Sequence, residues 1–269
     1  METVRLKRCR HGTFCFFPHD IYIGRSLDML GEYVEDEVQL LLKLIKPGDI
    51  VVEIGANIGA DTVPLARAVG NAGRVLALEP QRIIYQMLCA NLSINGIWNV
   101  EAYQRAAGAA EGVMAVPPVD YAQSNNFGSV ALVEHSAEQV RVVALDSLQL
   151  QRCELLKIDV EGMERDVLDG AAETIKRVRP IIYIENDRKS KSQALIEKLF
   201  DLEYACWWHV PSMYRADNYH GWGADPFGKT ASVNMVCFPR ERGINVTDLK
   251  HIESSAELAP GVIYQEDAP

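Results

Sequence analysis

Four short apolar runs in this chain end on acids or amides. IVVEIGA (50–56) carries Glu53, RVLALEP (74–80) carries Glu79, LLKIDV (155–160) ends at Asp159 with Glu161 just beyond, and PIIYIEN (180–186) ends on Glu185 and Asn186. A carboxylate can accept hydrogen bonds from sugar hydroxyls, balance a cation, take a proton from an alcohol, or ligate a hard divalent metal. Where strands alternate with helices, such tips collect along one edge of a parallel sheet, the edge where ligands bind.

The turn after the first run narrows the chemistry. VVEIGANIGADTVPLA (51–66) reads as strand, tight turn and helix, with Gly55 and Gly59 bracketing Asn57. A dinucleotide site wants G-x-G-x-x-G, so that two phosphates rest on a helix N-terminus. Here the spacing is G-x-x-x-G, and Glu53 before the turn repels pyrophosphate but suits an ammonium group. Glu79 falls 20 residues after Gly59, where a carboxylate can hold both hydroxyls of a ribose. Together, Glu53, Gly55, Asn57, Gly59 and Glu79 fit S-adenosylmethionine, a cationic nucleoside without phosphates. The rival from another enzyme class is an NAD(P)-dependent oxidoreductase, but no middle glycine or Tyr-x-x-x-Lys proton donor is evident. A catalytically silent cofactor-binding scaffold is the other rival, and it predicts loss of the strand-tip acids.

Methyl transfer from a sulfonium is an in-line displacement, and an alcohol acceptor needs a base or a metal to take up its proton. Asp159 and Glu185 are the base candidates, and Asp159 also lies within reach of the cofactor. A divalent metal such as Mg²⁺, held by Asp159, Glu185 and Asn186, is the second option. In the third, Asp159 only caps a helix over 163–178 through backbone amides. Lys157 shares a strand face with Asp159 and pairs with it or with Glu185. Downstream, Trp207, Trp208, Trp222, Tyr214 and Tyr219 cluster with His209 and His220. Aromatic rings suit stacking on a sugar or polyketide ring, so Trp208, Tyr214 and Trp222 are acceptor candidates, with Trp207 sent to the core by strand alternation. His209 and His220 are further base candidates.

The elements that must position these groups are readable. Helical periodicity spans 34–45, 81–94, 163–178 and, more weakly, 190–200; strands are predicted at 100–107, 203–210 and 231–239 as well. An N-terminal segment (1–48), whose stripe at 34–45 reads most simply as a helix covering the sheet, precedes a core domain (49–240). That domain carries an insertion of loop and short strands at 108–150 and an acceptor loop at 211–230. A polar C-terminal tail, poorly ordered at its end, completes the chain at 241–269.

The 269 residues carry 27 basic and 37 acidic side chains, a net charge of −10, which disfavours nucleic acid as a partner. No apolar run has the length of a membrane span, and the N-terminus does not read as a secretory signal. Six scattered cysteines without a CxxC pair suit reduced thiols and a cytoplasmic location, making the sequons at Asn91 and Asn245 chance matches. The composition leaves a homo-oligomer open.

From about residue 20 to 240 the chain resembles the FkbM-type S-adenosylmethionine-dependent methyltransferases. The blocks that carry the resemblance are DIYIGRSLDMLGEYVEDEVQLLLKLIKPGDIVVEIGANIGADT, LALEPQRIIYQMLCANLSINGIWNV, NNFGS, LLKIDVEGMERDVLDGA, RPIIYIENDR and WWHVPSMYRADN…SVNMVCFPRE. The resemblance implies the class I methyltransferase fold: a Rossmann-like α/β architecture with a seven-stranded, mostly parallel sheet, flanking helices and an antiparallel last strand. It implies O-methyl transfer to a small-molecule or glycan hydroxyl, assigns Asn126, in NNFGS, to the acceptor side, and makes the N-terminal segment (1–48) a cover or lid over the cofactor, with Ser26, Tyr33 and Glu37 as contacts. The proposed metal ligands are also positionally similar to those of catechol-type O-methyltransferases.

Overall fold

The computed structural model describes residues 3–262. An antiparallel hairpin, β1 (Arg5–Cys9) and β2 (Gly12–Phe16), is followed by α1 (Ile23–Met29) and α2 (Glu35–Leu44). Strands and helices then alternate: β3 (Ile50–Ile54), α3 (Thr62–Val69), β4 (Arg74–Leu78), α4 (Arg82–Ile94) and β5 (Val100–Tyr103). A small sheet of β6 (Ala106–Ala107), β7 (Gly112–Val116) and β8 (Glu138–Val143) occupies the insertion. The alternation resumes with β9 (Leu155–Ile158), α5 (Glu164–Gly170), α6 (Ala172–Val178), β10 (Ile181–Glu185), α7 (Lys189–Asp201) and β11 (Tyr204–His209). It closes with β12 (Asn234–Pro239) and β13 (Lys250–His251).

The main sheet has the order β13-β11-β12-β10-β9-β3-β4-β5. Strand β12 runs antiparallel to both β10 and β11, as expected of the seventh strand, and β13 adds a short eighth at the edge. Alternation along the strands decides which face each side chain covers. Val52, Ile54, Leu156, Ile158, Ile182 and Ile184 face one helical layer; Val51, Leu155 and Ile181 face the layer of α2 and α3. On that second face the positions nearest the strand tips are polar instead: Glu53, Lys157 and Tyr183 stand side by side in register. This substitution of polar for apolar residues builds the site.

Several expectations need revision. The helix predicted over 163–178 is two helices, broken at Ala171. Gly170 packs so closely on the Gly108 carbonyl that a Cβ there would lie 2.0 Å from the oxygen, and the chain turns at that contact. The run 100–107 divides between two sheets, because β5 pairs with β4 whereas β6 pairs with β8. The polar tail is structured as far as it is described: β13 pairs with β11, and Ile252 and Ala259 are buried in the core. Residues 263–269, where the tail's end was expected to loosen, lie outside the described residues.

The N-terminal hairpin, which periodicity did not reveal, is fastened by Asn91 of α4 and by Asn95 at the C-terminal cap of that helix. Asn91 accepts from the Cys15 N–H at 2.7 Å and donates to the Cys15 and Ile58 carbonyls at 3.0 and 2.8 Å. Its amide is fully buried and joins the hairpin, the helix and the 55–59 turn, so this sequon holds the fold together. Asn95 bridges similarly to both backbone groups of Thr13. Asn91→Ala strands a buried donor and two acceptors and is expected to cost about 2 kcal/mol. A urea titration measures this, and an unchanged midpoint would contradict the role.

Candidate functional site

A cleft of about 860 Å³ opens over the carboxyl ends of β3, β4, β9 and β10. Its wall includes Gly55, Asn57, Glu79, Asp159, Glu161 and Glu185, so most of the expected tip residues meet in one place. The tips lie close because glycine permits it: Gly55 has φ +87°, and a Cβ there would fall 1.7 Å from the Asp159 carbonyl oxygen. Gly59 also has φ +86°, with Leu88 filling the space a side chain would need.

Glu79 is nearly fully buried, and backbone amides orient its carboxylate: the Asn57 N–H donates at 3.0 Å and the Gln81 N–H at 2.8 Å. It lines both the cleft and a small adjoining pocket bounded by Pro80, Gln81, Ala106, Val160 and Met163. A fixed acid beside these walls, with Arg105, Asp159 and Glu161 also lining the pocket, fits a ribose. Sequence reasoning missed this slot because its walls are ordinary core residues from separate elements. Gln81 also donates to the Phe127 carbonyl at 2.9 Å. Phe127 is packed against Phe17 and Tyr121 and so pins the NNFGS loop over the cleft. Asn126 reaches the cleft wall there, its side-chain oxygen accepting from the Gly128 and Ser129 amides.

Glu53 is placed differently from the expectation. Its side chain is buried below the cleft, accepts from the Thr62 hydroxyl at 2.7 Å, and is not part of the cleft wall. Strand alternation turns it toward α3, beside Lys157. Lys157 is itself buried, and its ammonium lies 3.2 Å from Asp61, 3.5 Å from Asp159 and 3.6 Å from Glu37. Burial is the largest influence on Glu37 and Glu53 and pushes both carboxyls up; Lys157 pulls them back. Pairing with acids outweighs burial for Lys157 and holds it charged. Asp61 was not anticipated; its one sequence signal is an acid at the start of a helix just after the glycine turn.

On the far wall, Asp159, Glu161 and Glu185 each bring a carboxylate oxygen within 4.8 Å of the others. Burial first, and then the Asp159 charge, raises the carboxyls of Glu161 and Glu185. Glu161 has a left-handed backbone, φ +55°, and is gripped by Arg188. Asp159 does not cap the following helix: its carboxylate turns to Lys157, and α5 has no side-chain cap. Asn186 is not in this group. Its buried amide points to the Met235 sulfur, because the residue after Glu185 faces the opposite side of the strand.

The aromatic and histidine candidates stand outside the cleft wall. Trp207 and Trp208 are both buried, on opposite faces of the sheet, so neither turns toward the cleft. The His209 ring is hydrogen-bonded to the Tyr183 hydroxyl at 2.8 Å, and burial pushes it down to about 4. His220 bonds the Arg8 carbonyl near the hairpin. Tyr214 and Trp222 are tied to each other in a turn organised by Asn218, with Trp222 exposed. What loop 211–230 contributes to the cleft is Met213 and residues 228–230, anchored by Met213 and Phe227 packing on Leu30 and Val34. From the N-terminal segment, Tyr22, Tyr33 and Glu37 reach the wall, whereas Ser26 is buried and donates to the Glu32 carbonyl.

The model of the methyltransferase FkbM domain matches residues 53–206, more than half of the chain. The chain belongs to the FkbM methyltransferase family. Among curated relatives, methyltransferase sdnD of Sordaria araneosa is 24% identical over 185 residues, 56% of this chain and 71% of that protein. Hexuronic acid methyltransferase AglP of Haloferax volcanii is 25% identical over 165 residues, 60% of this chain and 64% of that protein. The chain thus spans under two thirds of the latter's length. Of solved structures, a precorrin-6y methyltransferase from Geobacter metallireducens superposes with a TM-score of 0.50 at 12% identity, covering 76% of this chain and 89% of that one, a likeness of fold. The FkbM methyltransferase of Methylobacillus flagellatus gives 0.45 at 18% identity over 71% of this chain and 43% of that one. Membership and fold imply S-adenosylmethionine as cofactor. Among the described residues no helix is long and apolar enough to cross a membrane.

The oriented Glu79 carboxylate and the glycine turn fit that cofactor. Burial raises Glu79 to about 7, against the bonds from the Gln81 and Asn57 amides, which lower it. Only the ionised form offers a full carboxylate to two hydroxyls, so affinity should rise with pH. Binding of S-adenosylhomocysteine is expected to strengthen about tenfold from pH 6 to pH 8, and Glu79→Gln to bind more weakly and without that pH dependence. Calorimetry at the two pH values checks this, and a flat wild-type profile would contradict it.

Proposed function

We propose that this chain is an O-methyltransferase that uses S-adenosylmethionine to methylate a hydroxyl of a sugar, glycan or natural-product small molecule. The observation that carries the reading is the placement of Asp159, Glu161 and Glu185 on the wall of the same cleft that holds Gly55 and Glu79. S-adenosylmethionine supplies, when bound, a methyl group on a sulfonium sulfur open to in-line attack by oxygen. Glu79 holds the ribose, the slot at Gln81 and Met163 takes the base, and the acidic wall receives the methionine end. Glu185, its carboxyl raised by burial and by neighbouring acids, takes the hydroxyl proton, and Asp159 orients the acceptor oxygen. The loop at Asn126 and the segment 228–230 bound the acceptor and limit water. The hexuronic acid methyltransferase among the relatives makes a uronic acid the first acceptor to try. Six free thiols suit a reducing compartment, and a cytoplasmic location is part of the proposal.

A second version is favoured by the proximity of the three acids. Asp159, Glu161 and Glu185, rather than Asn186, would hold a divalent cation such as Mg²⁺, whose charge would lower the pKa of an acceptor hydroxyl. Mass-spectrometric detection of methylated acceptor across a panel of uronic acids and neutral sugars tests the main reading. Glu185→Gln is expected to lower turnover by about 10²-fold or more with cofactor affinity retained, and full activity would contradict its role. Treatment with EDTA separates the two versions: turnover lost on chelation and restored by Mg²⁺ supports the metal, and unchanged turnover removes it.

A further inference from the structure

The floor of the cleft holds more negative charge than its buried cation balances. Glu37, Asp61 and Asp159 all lie within 3.6 Å of the single Lys157 ammonium, and all three line the cleft. Arg188, also on the wall, is taken up by Glu161. Asp61 is the informative member. It stands at the start of α3 with helical backbone angles, φ −90° and ψ −36°, and its side chain makes no capping bond. Its carboxylate is turned to Lys157, 3.2 Å away, and lines the cleft.

S-adenosylmethionine and its demethylated product share the nucleoside and the amino acid. They differ by a methyl group and by one positive charge, on sulfur. Resting on the cofactor reading above, we propose that Asp61, with Asp159 beside it and held in place by Lys157, is a specificity residue that favours the charged cofactor over the neutral-sulfur product. Every group that grips the nucleoside treats the two ligands alike. The excess floor charge does not: it attracts the sulfonium through a poorly hydrated medium, where a unit charge within several ångströms alters affinity about tenfold. Transfer of the methyl group abolishes that attraction at the moment of reaction, so the same residue holds the reactant and loosens the product.

Calorimetric titration of the wild type, Asp61→Asn and Asp61→Glu with each ligand tests this. The quantity read is the dissociation constant of S-adenosylhomocysteine divided by that of S-adenosylmethionine. Asp61→Asn is expected to lower this ratio about three- to tenfold, mainly by weakening the sulfonium ligand, and Asp61→Glu to restore most of it. Asp159→Asn, a separate removal of charge beside the same ammonium, is expected to move the ratio in the same direction, and serves as the readout if Asp61→Asn fails to fold. A ratio unchanged in the folded variants overturns the inference, as does an equal loss of both affinities, which is the mark of a structural role. Failure of the wild type to bind either ligand overturns the cofactor reading and this inference with it, whereas an unchanged ratio overturns only the latter.

Discussion

An ammonium sealed beneath the sheet's carboxyl edge organises this molecule. A buried lysine is tolerated only when opposite charges surround it, and removing such partners leaves an uncompensated charge at a cost of several kcal/mol. Lys157 gathers its partners from three elements: Glu37 from α2, Asp61 from the start of α3 and Asp159 from the tip of β9. Each partner has a second face on the cleft. The requirement to satisfy one cation therefore fixes how the N-terminal helix, the glycine turn and the acidic wall sit relative to one another.

The N-terminal segment is part of this arrangement. Glu37 belongs to the floor, and its other oxygen accepts from Asn234 at 3.0 Å, linking α2 to the antiparallel strand β12. The hairpin ahead of it is stapled to α4 and its C-terminal cap by Asn91 and Asn95, and Arg10 and His11 reach Glu32, ahead of α2, and Glu35, its first residue. The segment is thus bonded to the core at both ends, and Tyr22, Tyr33 and Glu37 from it line the cleft.

The fold was largely legible because long apolar strands, glycine stops and helical stripes are local signals that survive into the structure. Strand-tip acids were legible for the same reason: Glu79, Asp159 and Glu185 meet where a parallel sheet must bring them. What was illegible depended on the direction of a side chain or on a distant partner. Glu53 and Asn186 sit at the right height, but strand alternation turns both away from the cleft. Asp61 carried no motif and is explained by a lysine nearly a hundred residues away; Glu161 was visible beside Asp159, but not the left-handed turn and the Arg188 pairing that hold it. Trp208 misled because adjacent aromatic residues are also how a single strand, β11, fills the two opposite faces of a core.

The most direct measurement is a crystal structure of the protein soaked with S-adenosylhomocysteine. The account predicts ribose hydroxyls on Glu79, the adenine between Gln81 and Met163, and sulfur facing the wall of Asp159 and Glu185 above the Lys157 floor. A ligand bound elsewhere, or one whose sulfur points away from those acids, would contradict it.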